Sequence, residues 1–436
     1  MLICLLAAGT RGDTQPFIAL GVALKEAGYQ IRLAAAENFE ALVTDYGLEF
    51  YPIQGNVEHF ATNPELKASL AADNPLKTLR SFKTLRDYAY EMQKDYYAAC
   101  QGSDAIIYHP GVTIGYFAAQ KLKIPSILAS PFPFTPTKDY PALIFYQFRL
   151  GKWANKLSHK LFEQVLWQTS SQPINRFWKE RFGSLPQEFG KPYQKQHSQS
   201  RPTLISGSEH VFPRGSDWPD HVYNTGYWFL EKAQDWQASK ELQDFLDKGP
   251  APLYVGFGSI GNPETAEATT RLVIDALAQT GQRGVLATGW QGLQKVSLLP
   301  DHIFMLESAP HSWLFPRMAA VIHHGGAGTT AAGLRAGIPS IIIPHGLDQF
   351  AWGQRIYELG VGPKPIPKKK LSVPALAAAI ESALAEKTRE RALELGKKME
   401  SEKGLETATR IIIDALQSST AGQNTLPLET ESRHAY

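Results

Sequence analysis

The stretch "VIHHGGAGTTAAGLRAGIPSIIIPHGLDQF", residues 321–350, sets two adjacent histidines, a glycine pair and a Gly-x-Gly-Thr-Thr turn between two apolar runs, and then closes on an Asp-Gln doublet. The runs "AAVIHH" and "SIIIPH" are short and apolar and predict strands. Between them, Thr329 to about Gly337 predicts a helix with Gly337 as its C-terminal stop. Strand, glycine turn, helix and second strand make a right-handed βαβ unit. Gly325, Gly326 and Gly328 fall where the turn enters the helix. A ligand can touch the backbone there, and the free N–H groups of the helix start attract an anion. The segment reads as a cradle for phosphate.

Working outward, strands and helices alternate in both halves. "LICLLAA", "IRLAAA", "AIIYH" (105–109) and "SILAS" (126–130) predict strands in the first half. "PLYVGFGSIG" (252–261), "GVLATG" (284–289) and "IFMLESAP" (303–310) join the two runs above in the second. After the first strand and "GTRGDTQ", the segment "PFIALGVALKEAG" places Phe17, Leu20, Gly21 and Leu24 on one helical face, with Pro16 in the first turn and Gly28 as stop. Such alternation argues for parallel sheets covered on both sides, which bind ligands beyond the C-terminal ends of their strands. The expected architecture is α/β, with two doubly wound Rossmann-like domains facing across a cleft. The first covers residues 1–230, a connection 231–250, the second 251–417, and a polar, aperiodic tail 418–436 is expected to be disordered.

Composition sets the outer limits. A chain of 436 residues is too long for one ordinary core, and 43% hydrophobic with 20% charged residues is ordinary for a globular protein. The net charge of +2 carries no electrostatic footprint for nucleic acid. Cys4 and Cys100 are the only cysteines, which excludes a disulfide framework or zinc cluster and fits a reducing, cytoplasmic compartment. The apolar start "MLICLLAAGTRGD" lacks a basic leader and reads as a strand. No uncharged apolar run approaches the ~20 residues of a spanning helix, so the expectation is a soluble or at most peripheral protein.

The glycine motif alone leaves two enzyme classes open. Gly326, Gly328 and Ala331 satisfy a dinucleotide spacing, with Asp348 at about the distance of a ribose-binding acid, so an NAD-dependent oxidoreductase is one reading. Against it, that acid should end the second strand, whereas Asp348 falls in the loop "PHGLDQ". Nor has the His323–His324 pair a role in such a fingerprint.

Taken together, "ESAPHSWLFPRMAAVIHHGGAGTTAAGLRAGIPSIIIPHGLDQFAWGQRI", "GTRGDTQPFIAL" and "VGFGSIG" resemble the signature motifs of the GT-B glycosyltransferases that use nucleotide sugars, in particular the sterol and antibiotic glycosyltransferase subgroup. The three motifs agree in order and spacing. The resemblance implies an inverting transferase that moves a hexose, glucose from UDP-glucose, onto a hydroxyl of a sterol-like or other hydrophobic acceptor. UDP against TDP stays open. The nucleotide sugar is a co-substrate, and neither cofactor nor metal is expected; the absence of any Asp-x-Asp agrees. A nucleotide-sugar epimerase and a non-catalytic sugar-nucleotide sensor are the further alternatives.

In that frame His323, as imidazolium or neutral donor, hydrogen-bonds a phosphate oxygen while the N–H groups of Gly325 through Thr329 and the Thr329 hydroxyl take the rest of the departing charge. His324 reads as a strand-end histidine satisfied by backbone. Asp348 and Gln349 match the doublet that holds the donor sugar, although Asp348 also suits a helix cap. Ser259 lies near the phosphates. Ala309 and His311 match positions near the base and ribose, and Trp290 either stacks on the base or fills the core. Asp13 is the expected base for the acceptor hydroxyl, with helix capping as its bland alternative. His109 is the reserve candidate for base or acceptor contact. The aromatic-rich stretch 131–180, and within it Phe132, Phe134 and Tyr140, is the expected acceptor region. Most of its aromatics are better explained as core packing, and an exposed remainder could touch a membrane surface to collect a lipid.

Overall fold

The computed structural model describes residues 1–55, 86–148, 151–198, 201–231, 236–257, 263–288, 293, 299–346 and 348–423. Seven strands form the first sheet: β1 (Leu2–Leu6), β2 (Gln30–Ala36), β3 (Glu49–Ile53), β4 (Ala105–Tyr108), β5 (Ser126–Ser130), β6 (Thr203–Ile205) and β7 (Val222–Asn224), in the order β3-β2-β1-β4-β5-β6-β7. Five form the second: β8 (Leu253–Gly256), β9 (Gly284–Ala287), β10 (Ile303–Leu306), β11 (Ala320–His323) and β12 (Ser340–Ile342), in the order β10-β9-β8-β11-β12. Every described pairing is parallel. Central strands such as "AIIY" and "AVIH" are buried at every residue, as a sheet covered on both faces requires. The α/β, doubly wound expectation therefore holds.

Five helices bear on the site or its surroundings: α1 (Arg11–Glu26), α2 (Lys152–Phe182), α3 (Ala327–Arg335), α4 (Gln349–Leu359) and α5 (Gly404–Gln423). Three expectations need correcting. Helix α1 starts at Arg11, five residues ahead of Pro16. Pro16 therefore sits inside the helix, and the Gly12 carbonyl lacks its i+4 N–H partner. Strands β3, β6 and β7 were not legible: β6 and β7 are three residues each, and the edge strand β3 carries Pro52. The end of the chain also differs. Residues 418–423, expected in the aperiodic tail, continue α5, and 424–436 lie outside the described residues. Ala408, Ile412 and Leu416 of α5 pack in one cluster with Leu20 and Leu24 of α1, so this last helix leaves the second sheet and covers the first.

The two sheets meet along an apolar seam in which Val211 and Phe212 pack against Leu334, Trp352 and Ile356. Phe212 stands edge-on to Trp352, with ring centroids 5.4 Å apart. Strand order reverses beside β1 in the first sheet and beside β8 in the second. The crevices at such switch points are where open α/β sheets take ligands. One opens between the ends of β1 and β4, at Ala8–Asp13 and His109–Gly111. The other opens between β8 and β11, at Phe257 and His323–Gly328.

Candidate active site

The two crevices face each other. The N-terminal turns of α1 and α3 come together there: a Cβ built on Gly328 would stand 3.4 Å from Gly12 Cα, and one on Gly12 would stand 3.6 Å from Gly328 N. Two helix starts thus converge on one gap, each with first-turn N–H groups that lack intrahelical acceptors. Thr330 spends its hydroxyl on the Gly326 carbonyl (2.9 Å), while Thr329 is half-buried on the same turn and Gly328 is exposed.

Asp13 is the third residue of α1. Its Oδ2 accepts from Thr10 N (2.8 Å) and Thr10 Oγ1 (3.0 Å), and among the described residues Oδ1 takes no protein donor. The capping alternative is therefore real, yet it occupies one oxygen only. The signal was present in "TRGD", whose Thr-x-x-Asp spacing is that of a capping box. Burial pushes the Asp13 carboxyl above its ordinary value, and the two Thr10 bonds pull part of the way back. Gly9 makes the arrangement feasible. Its φ of +108° suits glycine, and a Cβ there would collide with the Asp13 carboxylate. Gly9→Ala is expected to cost about 1–3 kcal/mol through backbone strain and to displace Asp13, which thermal unfolding will show as a lowered Tm.

Across the gap, Asp348 is the N-cap of α4, and its Oδ2 accepts from Trp352 Nε1 at 3.2 Å. Its carboxyl is raised to about 6, first by burial and then by the charge of Asp13. Two carboxylates from opposite domains thus share one gap. Gln349 is buried, and its Oε1 accepts from His345 N (2.7 Å), so only its amide N–H groups remain for a ligand. Asp348 lies six residues past the end of β12, at a helix start. A ribose-binding acid of the dinucleotide type belongs at the strand end.

The glycines serve separate ends. Gly325 has φ +92°, and a Cβ there would press on Ile342 Cγ2 (2.7 Å) and Gln349 O (3.0 Å). One on Gly326 would meet His324 Nε2 (2.6 Å). Gly328 alone of the three is exposed, and among the described residues only Gly12 Cα stands within 4 Å of its Cβ position.

His323 and His109 end β11 and β4 in the same way. Gly325 N donates to His323 Nδ1 (3.1 Å), and Gly111 N donates to His109 Nδ1 (3.0 Å). An accepting Nδ1 leaves the proton on Nε2, and in both rings Nε2 is buried without a partner. Burial drives the His323 ring well below its ordinary pKa and the His109 ring to about 3. The His323 ring is therefore neutral, in place of the imidazolium option, and His109 carries its proton on Nε2 in the same way. His324, also neutral at about 4, has a buried Nδ1 with no partner, so the expected satisfaction by backbone is not met. His311 opens a short helix, stacks on Phe315 (4.2 Å, 15°) and is held near 4 by burial and by Arg11, which reaches the gap from α1. Ala309 packs half-buried in the cluster beneath it. Ser259 and Trp290 lie outside the described residues.

The acceptor candidates separate. Phe132 is half-buried at the end of β5, edge-on to His109 at 5.9 Å, beside the first crevice. Phe134 is fully buried against Phe162 and Tyr193, and is therefore core. Tyr140 bonds Pro213 O (3.2 Å) and packs on Phe212, so it belongs to the seam between domains. Arg11 was not singled out from sequence, and Phe17 was read there only as part of the buried helical face; Phe17 stands 6.0 Å from His109, and both lie on α1 beside Asp13. Among the described residues no group of three His, Cys, Asp or Glu is placed to hold a metal.

Comparison with known proteins places this geometry. Residues 3–141 match the glycosyltransferase family 28 N-terminal domain, and 271–413 match the erythromycin biosynthesis protein CIII-like C-terminal domain. A sterol 3-beta-glucosyltransferase of Arabidopsis thaliana is 35% identical over 414 residues, covering 93% of this chain and 66% of the relative. One of Leptosphaeria maculans is 34% identical over 428 residues, 94% of this chain and 28% of the relative. The chain thus spans just under two thirds of the plant relative's length and far less of the fungal one's. The solved glycosyltransferase of kitacinnamycin superposes with a TM-score of 0.69 at 20% identity, over 95% of this chain and 99% of that one. The calicheamicin glycosyltransferase gives 0.67 at 17%, over 95% and 98%. With relatives of that kind matched along nearly its whole length, and with their two-sheet fold, the chain belongs to the GT-B glycosyltransferases.

Proposed function

We propose that the protein is an inverting glycosyltransferase that moves glucose from UDP-glucose onto the hydroxyl of a sterol or a similarly flat lipophilic alcohol. The observation that carries the reading is the apposition of Gly12 and Gly328, which sets Asp13 and Asp348 on opposite sides of one gap lined by two helix starts. The acceptor class rests on the names of the relatives at 33–35% identity.

In this reading Asp13 Oδ1 takes the proton from the acceptor oxygen as that oxygen attacks the anomeric carbon. A carboxylate is a weak base for an alcohol, but late transfer meets an oxygen already made acidic by bond formation, and burial strengthens the carboxylate. The bond from the anomeric carbon to the diphosphate oxygen breaks on the opposite face. The developing charge meets the first-turn N–H groups of α3 and the Thr329 hydroxyl. The unpartnered Nε2–H of His323 costs about 1–3 kcal/mol while it stays unpaired, and a phosphate oxygen drawn into the turn would satisfy it. Asp348 accepts from sugar hydroxyls and Gln349 donates to one. Domains that close on the donor exclude water, the competing nucleophile. No metal or cofactor enters this scheme.

The test is mass spectrometry of reactions pairing UDP-glucose or TDP-glucose with sterols and unrelated lipophilic alcohols. The TDP arm is included because two structural neighbours were solved with thymidine diphosphate nucleotides. A hexosyl-sterol formed from UDP-glucose is expected. Exclusive use of TDP-glucose would move the donor, and glucose released without any acceptor glycoside would sink the transfer.

A further inference from the structure

The first turns of α2 carry an outward stripe of apolar side chains: Trp153 is 80% exposed, and Leu157 and Leu161 are each 49% exposed. They recur every fourth residue and so share one helix face. Lys152, Lys156 and Lys160 recur at the same interval beside them, all exposed. Glu163 is the only acid between Lys152 and Gln164; it is buried and bonded to His197 at 2.6 Å. Lys156 reaches Asp217 (2.8 Å) with its side chain still 47% exposed. The inner face of the same turns holds the 138–142 loop. Asn155 Nδ2 donates to Lys138 O (3.0 Å), Ala142 N donates to Ser158 Oγ (2.9 Å), and His159 Nε2 meets Tyr140 O (3.0 Å). That loop continues the 131–137 segment carrying Phe132 beside the first crevice.

We propose that this face of α2 rests on an anionic lipid surface and holds the acceptor side of the cleft against it. An indole and two leucines in water gain by entering the interfacial layer, where tryptophan is favoured, while flanking lysines extend to anionic headgroups. A second copy of the chain fits the face poorly, because a two-fold pairing would set one lysine row against its like. Nucleic acid fits poorly too, since apolar side chains stand between the cations and the whole chain carries only +2. No helix among the described residues is long and apolar enough to cross a membrane, so contact would be made by this face alone. The purpose of the contact rests on the lipophilic acceptor proposed above; the contact itself does not.

The test uses the full chain, without donor or acceptor, sedimented with vesicles of phosphatidylcholine alone or mixed with phosphatidylserine. Binding to the mixed vesicles that weakens with salt is expected. K152E/K160E is expected to lower partitioning at least about fivefold per lysine, and W153S/L157S at least about tenfold at unchanged net charge. All four positions are exposed, so circular dichroism should match the parent. Transfer to a detergent-dispersed acceptor should be unchanged in both variants, which separates failure of this proposal from failure of the transferase reading. Equal vesicle binding by parent and variants, no binding by the parent, or a dimer abolished by W153S/L157S would overturn it.

Discussion

Asp13→Asn is expected to lower sugar transfer about 10²- to 10⁴-fold, the range for a lost general base, while leaving nucleotide affinity and the fold in place. The fold should survive because an asparagine oxygen still accepts from Thr10 N at the third position of α1. Stability should move in the opposite direction from activity. The carboxyl's folded value is raised by burial, so its protonated form is the one that folding favours. The stabilisation it contributes is complete below the unfolded carboxyl value and is lost as pH rises through the folded one. At neutral pH the ionised group is therefore a cost, and the neutral amide should leave Tm unchanged or raise it. The pH profile supplies the third readout. Parent kcat/KM should fall on the acid side as Asp13 takes up its proton, and the variant's residual activity should lack that limb. A variant that loses activity by unfolding would show a lowered Tm. Unchanged transfer would remove Asp13 from the chemistry.

Much of this was legible because backbone demands leave marks on a sequence. The βαβ unit at 321–350 was readable from two apolar runs and the glycines between them, and helix α3 starts two residues ahead of the expected Thr329. The glycine tally hid a division of labour. Gly325 and Gly326 are small because Ile342, Gln349 and His324 crowd them, and only Gly328 faces the gap. Spacing cannot tell a glycine that clears room for the protein from one that clears room for a ligand. The same limit undid Phe134 and Tyr140: an aromatic beside prolines reads alike whether its partners are Tyr193, Phe212 or an acceptor. The His-x-Gly closure shared by His109 and His323 is a matter of ring orientation, which local sequence does not encode. The return of α5 onto α1 pairs residues almost four hundred positions apart, beyond any local periodicity.

Asp348→Asn should raise stability at neutral pH and at the same time weaken donor-sugar recognition. The Asp348 carboxyl is raised to about 6 by burial and by Asp13, against an ordinary value of 3.8. Its neutral form stabilises the fold fully below the unfolded value, and that contribution is lost as pH rises through about 6. Two units correspond to at most about 3 kcal/mol, shared with Asp13 because neighbouring carboxylates titrate as a pair. Thermal unfolding against pH should therefore show the variant above the parent at pH ~7 and equal to it below pH ~4. It should also show Asp13→Asn lowering the pH at which the parent loses its extra stability, since the charge that raises Asp348 has gone. Recognition runs the other way, because sugar hydroxyls need an ionised acceptor. Parent affinity for UDP-glucose, measured by calorimetry, should improve as pH rises through about 6, and the variant should lack that rise. UDP, whose own terminal phosphate titrates at ~6, should show the same pH dependence in parent and variant. The variant should lose about tenfold or more for the sugar nucleotide, as charge-assisted hydrogen bonds become neutral ones, and nothing for UDP. A parallel loss for UDP and UDP-glucose would place Asp348 with the nucleotide instead of the hexose. No change for either would leave it the N-cap of α4 that Trp352 already holds.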